Sequence, residues 1–566
     1  MNIVGARMKQ LTGNRSSWRT RGAAIAVCGA LALTACGGSK GGDTGGGKSG
    51  GDKGASAEPQ YGGKVTYGLS AENADGWCLP EAQLAPPGIQ VARSIYDTLT
   101  IPNEKGELVP FLAKTLTPNA DFTVWDLELR EGIKFHDGSD LDAVVVKNNI
   151  DAYRGTYPTR HPLLFSFVYD NIADVEVTGP LSLRLTTKTP WSSVPQVLWS
   201  TGRVGIMAQA QLDDTETCDT KLIGTGPFEL VSWSQNEKMV LKKNPSYWQK
   251  DSKGNQLPYL DELEYRIATD GPSRTNSLLA GELNVTSTAS AEQIEVLKAA
   301  EEEGKVTNLI SDAFPTVSFL QLNNAAEPFS NKNARLALIS AIDMKTFNKT
   351  INLDMLKIAN GPFAPGTIGY VKDTGYPTYD LDKAKKYAAA YEAETGKKLE
   401  FSIISPPDQP TVTAMTLLQD MVKKAGITMK LSPMEVAAMI STAVAGKYDA
   451  MAFANFPGGD PDDNKVWWYG TSPVNLSRFN DPEINRLLDE GRATADTAER
   501  QRIYGDIDKR FGSEGYSVWL NWVLTDVATA SNVHGVLGPK LPNGDDPSPS
   551  LVNGHSTAGL WIDAKG

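Results

Sequence analysis

Three acids, Asp460, Asp462 and Asp463, stand within four positions of one another and are followed by Trp467, Trp468 and Tyr469. Paired carboxylates beside aromatic rings are the equipment of carbohydrate-cleaving sites, where one acts as acid and the other as base or nucleophile. That chemistry needs two carboxyl groups facing each other across a substrate, which a single acidic loop does not supply. No Ser/His/Asp or metal constellation backs it: the four histidines, His136, His161, His534 and His555, show no HxxxH spacing, and the chain has no CxxC pair. His136 alone before the Asp137-Gly138 turn reads as a structural hydrogen-bonding group rather than a base. Gly42 to Ser49 (GDTGGGKS) matches a phosphate loop, and Gly47 to Gly51 matches the esterase pattern GxSxG. Both fail because neither is flanked by the strand and helix that aim backbone N–H groups or a nucleophile. No catalytic set, metal site or cofactor site is therefore read from these residues.

The elements that must position those residues are legible between 399 and 456. A strand at 399–404 leads to a helix near 411–425 stopped by Gly426, then a strand ITMKLS, a helix near 434–445 and a strand YDAMAFANF at 448–456. Two successive βαβ units predict a mostly parallel sheet, and ligands of such sheets sit outside the carboxyl ends of strands. The last strand ends on Asn455 and Phe456, delivering Asp460 to Tyr469 to a predicted cleft. Elsewhere Lys64 to Leu69 reads as a first strand, and 122–129 and 181–187 alternate with period two. Asp380 caps a helix with an apolar face of Ala384, Tyr387, Ala388 and Tyr391, ended by Gly396. Asp481 and Pro482 start another helix, buried through Ile484, Leu487 and Leu488; a further helix fills about 498–511, and 516–530 reads as strand with Trp519 and Trp522 in the core. This alternation of short β-rich runs and amphipathic helices predicts α/β lobes.

The amino terminus sets the compartment. Five cations and no acid precede the apolar run Gly22 to Thr34, which is too short to span a bilayer, and Leu33-Thr34-Ala35-Cys36 reads as a lipoprotein cleavage box with Cys36 lipidated. Residues 37 to 54 include ten Gly among eighteen, a flexible tether. The roughly 22 residues before Pro59 give a reach of about 25 Å. Cleavage leaves 50 Lys+Arg against 67 Asp+Glu, a net charge of -17, which argues against nucleic acid or an anionic membrane face as partner. The lipid anchor places the protein on the extracytoplasmic face of the cell membrane. Cys28 leaves with the signal, so Cys78 and Cys218 are the remaining pair in an oxidising compartment and are predicted to form a disulfide.

Several stretches in order carry a resemblance: Tyr96-Asp97-Thr98-Leu99; Leu108-Val109-Pro110-Phe111-Leu112-Ala113; Leu129 to Gly138 (LREGIKFHDG); Gly224-Thr225-Gly226-Pro227-Phe228; Asn244-Pro245 to Trp248; Asn323-Asn324 with Arg335, Ala337 and Leu338; and Tyr379-Asp380 with Lys383-Ala384. Over nearly all of 61–535 the chain resembles the peptide- and nickel-type extracytoplasmic solute-binding proteins of ABC importers, family 5. The resemblance implies a type II periplasmic-binding-protein-like fold, two hinged α/β lobes with an extra domain and the ligand in the interlobe cleft. By analogy lobe I takes 61–98, 222–310 and 525–566, the extra domain 99–221 and lobe II 311–524, with hinges near 221–224 and 524–526. It also implies a monomer that binds a peptide or other small polar oligomer and delivers it to a permease with a cytoplasmic ATPase; the same architecture could instead serve as a surface receptor for a signalling peptide. The signature residues themselves look like scaffold.

Two departures stand out. Ala143-Val144-Val145-Val146 replaces the acid-rich start that the family has after FHDG. In members that bind free peptides, an Asp three residues before the Asp/Glu-Pro pair receives the ammonium; here the pair is Asp460-Pro461 and that position is Pro457. A buried ammonium without an acid is costly, so the anchor must come from Asp460, Asp462, Glu72 or Asp75, or the cargo must lack a free amino terminus. Trp77, Trp467, Trp468 and Tyr469 offer faces for sugars or for modified or blocked peptides. Asn323, Asn455 and Phe456 complete the expected ligand contacts.

Overall fold

Lys64–Leu69 is buried at all but its first residue, as expected of a strand covered on both faces, and it lies inside a seven-stranded sheet. The computed structural model describes residues 58–73, 76–455 and 459–563; Cys36, the tether, Asp75, Phe456 and Pro457 lie outside them. The sheet runs in the order 306–311, 525–530, 285–288, 64–69, 262–267, 238–243, 228–234. The strand 64–69 is parallel to both of its neighbours, and the outer pairings are antiparallel. Against it packs the helix Pro86–Ile95, started by two prolines whose missing N–H groups would be unbonded there anyway. It buries Ile89, Val91, Ala92 and Ile95 and carries Arg93 in its last turn.

The second sheet has six strands in the order 357–358, 517–522, 317–322, 450–455, 400–405, 428–433. Its βαβ units fall within a few residues of their expected places. Glu400–Ser405 is parallel to Thr428–Pro433 and to Ala450–Asn455, with helices Gln409–Lys423 and Val436–Val444 as the crossovers. Asp408 caps the first helix by accepting from the Thr411 N–H (3.0 Å). The expectation of a mostly parallel sheet is corrected, because 317–322, 517–522 and 357–358 join antiparallel. The sheet is mixed: the βαβ units build one half, and the strands 317–322, 517–522 and 357–358 build the rest.

A third, antiparallel sheet of 113–118, 124–129, 182–187 and 172–179 lies between the first two strands of the seven-stranded sheet in chain order. The signature residues stitch it to that sheet. Asp97 accepts from Thr225 Oγ1 (2.9 Å), Trp248 Nε1 (2.9 Å) and Tyr247 Oη (3.3 Å). His136 brackets the same glycine turn, its Nε2 3.0 Å from the Gly226 carbonyl and its Nδ1 accepting from the Gly224 N–H (3.3 Å). A Cβ at Gly224 would stand 2.0 Å from the Ile95 carbonyl oxygen, so only glycine lets the two segments approach. Cys78 and Cys218 are joined, with Cα atoms 5.1 Å apart.

The chain passes between the two large sheets twice, at 312–316 and at 523–524. The run 516–530 is thus two strands, Ser517–Trp522 in the second sheet and Thr525–Ala530 in the first. Residues 221–224, expected as a hinge, lead from the inserted segment into the first sheet and do not pass between the two large sheets. Trp519 and Trp522 are buried in the second core. No helix among the described residues is long and apolar enough to cross a membrane.

Helix Thr497–Glu514 buries Asp508 completely, with the Val371 N–H (3.1 Å) as donor to its Oδ2 and none to Oδ1. Burial pushes this carboxyl up to about 8, against the smaller opposing effect of that hydrogen bond. A raised acid favours the protonated fold, so the stability it contributes is fully present below pH 4 and is lost as pH rises through 8. D508N keeps an acceptor for Val371 and removes the titration. Denaturant melts should show the variant gaining on the parent by a few kcal/mol between pH 4 and 8, and a gap constant with pH would contradict the assignment.

Candidate functional site

Beyond the strand Ala450–Asn455 comes the short 3-10 helix Pro461–Asn464, capped by Asp460, whose Oδ1 accepts from the Asp462 N–H (2.9 Å). Asp460 is paired with Arg500. Asp462 is buried and fully engaged: Oδ2 accepts from Trp191 Nε1 (2.7 Å) and Ser193 Oγ (2.7 Å), and Arg492 Nε lies 2.9 Å from Oδ1. Asp463 accepts from Gln196 Nε2 (2.5 Å). The backbone joins in, the Ser192 N–H donating to the Arg492 carbonyl (2.8 Å) and Ser192 Oγ to that of Thr494 (2.7 Å). The Arg492 guanidinium sits 4.6 Å over the Trp191 ring. Residues 191–196 of the inserted segment are therefore clamped to the second-sheet lobe.

Two guanidiniums serve three carboxyls, and the acids divide accordingly. Burial alone would raise Asp462, but the charge and hydrogen bond of Arg492, with that of Ser193, hold it below the ordinary carboxylate value. Burial raises Asp460 despite Arg500. Burial and then the neighbouring Asp460 charge push Asp463 well above its ordinary range, opposed by Gln196 and Arg203. Asp460 and Asp462 are committed to arginines, so the loop does not present a free facing pair for hydrolysis.

The clamp divides two cavities. One is a cleft open to solvent, lined from the first-sheet side by Arg93, Phe111 and His555, from the inserted segment by Gln196 and Trp199, from the crossing by Phe314 and from the acidic loop by Gly459. The other, also open to solvent, is lined by Phe167, Trp191, Ser193, Asp462, Asp463, Lys465, Tyr469 and Arg492. Burial pushes His555 down to about 4, so its ring is neutral at physiological pH.

The remaining expected contacts scatter. Tyr469 reaches the second cavity, donating from Oη to Asp489 (3.1 Å) under the Lys465 ammonium. Trp468 is in the core of the second lobe, edge-on to Phe363 and Phe511, and Trp467 packs against the same core. Asn455 donates to Asn464 (3.4 Å). Asn323 is a buried brace whose Nδ2 donates to the Tyr448 carbonyl (2.9 Å), which ties the strand 317–322 to the turn before 450. Glu72 and Trp77 line a third, small cavity of about 260 Å³, where Glu72 accepts from Trp233 Nε1 and the Asn236 N–H. Asp460 and Asp462 thus serve as clamp, and Trp77, Trp468 and Asn323 as interior.

Sequence reasoning missed Arg93, Trp191, Gln196, Trp199, Phe314, Arg492 and Arg500. Arg93 alone had a nearby signal, three residues before Tyr96-Asp97. Among the described residues no group of three or more His, Cys, Asp or Glu could hold a metal ion.

The family model for bacterial extracellular solute-binding proteins, family 5, matches residues 107–476. The glutathione-binding protein GsiB of Salmonella paratyphi A is 26% identical over 456 residues, covering 78% of this chain and 85% of that one. The binding protein AgaA of A. tumefaciens R10, solved with agropinic acid, has a TM-score of 0.77 at 24% identity and covers 89% of this chain and 99% of its own. DppA of Helicobacter pylori, solved with the peptide STSA, gives a TM-score of 0.77 at 21% identity and covers 89% and 98%.

D462A strands Arg492 and removes the acceptor of Trp191 and Ser193 together. It should cost about 3 to 5 kcal/mol in denaturant melts, as loss of one partner of a buried ion pair does. A loss below about 1 kcal/mol would mean that the clamp carries little energy.

Proposed function

The chain belongs to the bacterial extracellular solute-binding proteins of family 5, and from that premise we propose that it is the lipid-anchored receptor of an ABC importer, capturing a peptide or similar polar oligomer between its lobes. Its fold is the two-lobed α/β fold of type II periplasmic binding proteins. Lipidation at Cys36 would hold it on the outer face of the membrane, where it hands its solute as a monomer to a permease driven by a cytoplasmic ATPase. Lobe I is assigned 61–98, 222–310 and 525–566, the extra domain 99–221 and lobe II 311–524.

The observation that carries this reading is the pair of short crossings at 312–316 and 523–524, with a cavity beside the first lined by both lobes through Arg93, Phe314 and Gly459. Few backbone dihedrals need change for one sheet to rotate against the other, and a solute touching both sides favours the closed form by its extra contacts. Asp460 and Asp462, on the loop beside the cavity, are held by arginines, which suits binding and release of an intact solute.

Pro457 bears on the cargo. With a proline where the free-peptide members have the ammonium-binding Asp, the reading favours solutes without a free amino terminus: blocked or modified peptides, or sugars. The relatives are named for glutathione, and the similar structures were solved with agropinic acid and a peptide, which fits a class of small polar solutes.

Thermal melts of the full chain with free di- to pentapeptides, their N-acetyl forms and oligosaccharides test this. At about 100 times the dissociation constant a bound solute adds roughly 2.7 kcal/mol, a shift of a few degrees, and the solute should be recovered unchanged. Acetylated peptides or sugars should give the shift. A shift from free peptides alone would overturn the cargo assignment, and cleavage of the solute would overturn the binding role.

A further inference from the structure

The cavity beside the first crossing carries an unspent charge. Among the residues that line it there is one cation, Arg93, and no acid, in a chain whose mature net charge is -17. Arg93 Nη1 donates to the backbone carbonyls of Asn553 (3.2 Å) and Gly554, and the guanidinium lies 5.0 Å over the Trp199 ring. Among the described residues no carboxylate lies within ion-pairing distance of it. Burial lowers Arg93 to about 10, which leaves it charged at neutral pH, and the neutral His555 adds no second charge. Held by a stacked ring and two carbonyls, the planar fork is oriented before any ligand arrives.

A second, independent feature sits on the same walls. Gln196 and Asn553 are 3% and 6% exposed, and both line the cavity. Gln196 Oε1 and Asn553 Oδ1 have no hydrogen-bond donor among the described residues. The Gln196 amide also reaches Asp463, to which its Nε2 donates. Buried acceptors without donors are costly, and a ligand supplying N–H or O–H groups relieves that cost.

We propose that this cavity receives the carboxylate end of the solute, with Arg93 as its counter-ion and the Gln196 and Asn553 oxygens accepting from amide or hydroxyl groups next to that carboxylate. The inference rests on the solute-binding reading and sharpens it: the cargo is anchored by its acid end from the first lobe, not by an amino end from the acidic loop. Trp199 and Phe111 supply apolar walls for the chain between these polar points.

The test is isothermal titration of the full chain with matched N-acetyl tripeptides, one a free acid and one the carboxamide, with succinate as a separate arm. The free acid should bind at least tenfold more tightly than the carboxamide, the loss expected when one hydrogen-bonded charge pair is removed. Arg93→Gln should erase that ratio and Arg93→Lys should keep part of it, each variant being checked by circular dichroism for an intact fold. Equal binding of acid and amide by the unmodified chain overturns the Arg93 assignment and leaves the solute-binding reading standing. Binding of succinate with no response to either peptide, lost in Arg93→Gln, supports the carboxylate site while overturning the peptide cargo. No binding of any of the three overturns the proposal.

Discussion

The buried carboxylate of Asp462 is the constraint on which the arrangement of the site depends. It lies at the bottom of a loop from the second sheet and accepts from Trp191 and Ser193 of the inserted segment, 271 and 269 residues earlier in the chain. Its charge is balanced by Arg492 on the helix that follows. A buried ion this well satisfied is specific rather than strongly stabilising: it fixes which segments meet, and it penalises any packing that leaves it unpaired. Because Trp191 and Ser193 are fixed by it, Gln196 and Trp199 turn to one side and Val197 to the other, and the two cavities follow from that division.

The family's signature residues act one step further out. Asp97, His136, Thr225, Asn244 and Trp248 converge on the Gly224–Gly226 turn and lock the inserted sheet onto the helix Pro86–Ile95. That helix carries Arg93 at its end, so the scaffold that defines the family also aims the one cation of the first cavity. Cys78–Cys218 closes a loop of 140 residues around the same region. The two large sheets are joined by short crossings at 312–316 and 523–524, and the contacts of Asp462 with Trp191 and Ser193 tie the inserted segment to the second sheet as well.

What the sequence revealed was local. The strand 64–69, the helix capped by Asp380 and the two βαβ units to Asn455 follow from hydrophobic period, caps and glycine stops, and each lies within a few residues of its expected place. The run 516–530 was not divisible by eye, because Val523-Leu524 holds neither Gly nor Pro, and the switch of sheets there is decided by pairing with distant strands. The acids and aromatics of the 460–469 loop were visible as a cluster, but their roles depend on Arg492, Arg500 and Trp191, which arrive from elsewhere in the fold. Trp468 and Trp77 show the same limit: a ring beside a strand end can equally fill a core. Arg93 and the orphan oxygens of Gln196 and Asn553 become a set only when positions 93, 196 and 553 face one space.

Native mass spectrometry of the full chain isolated from cells, followed by denaturation and mass analysis of what it releases, addresses the central claim most directly. One noncovalently held, carboxylate-bearing polar molecule per chain, released intact, is the expected result. Release of cleavage fragments, or of a molecule without an acid group, would contradict it.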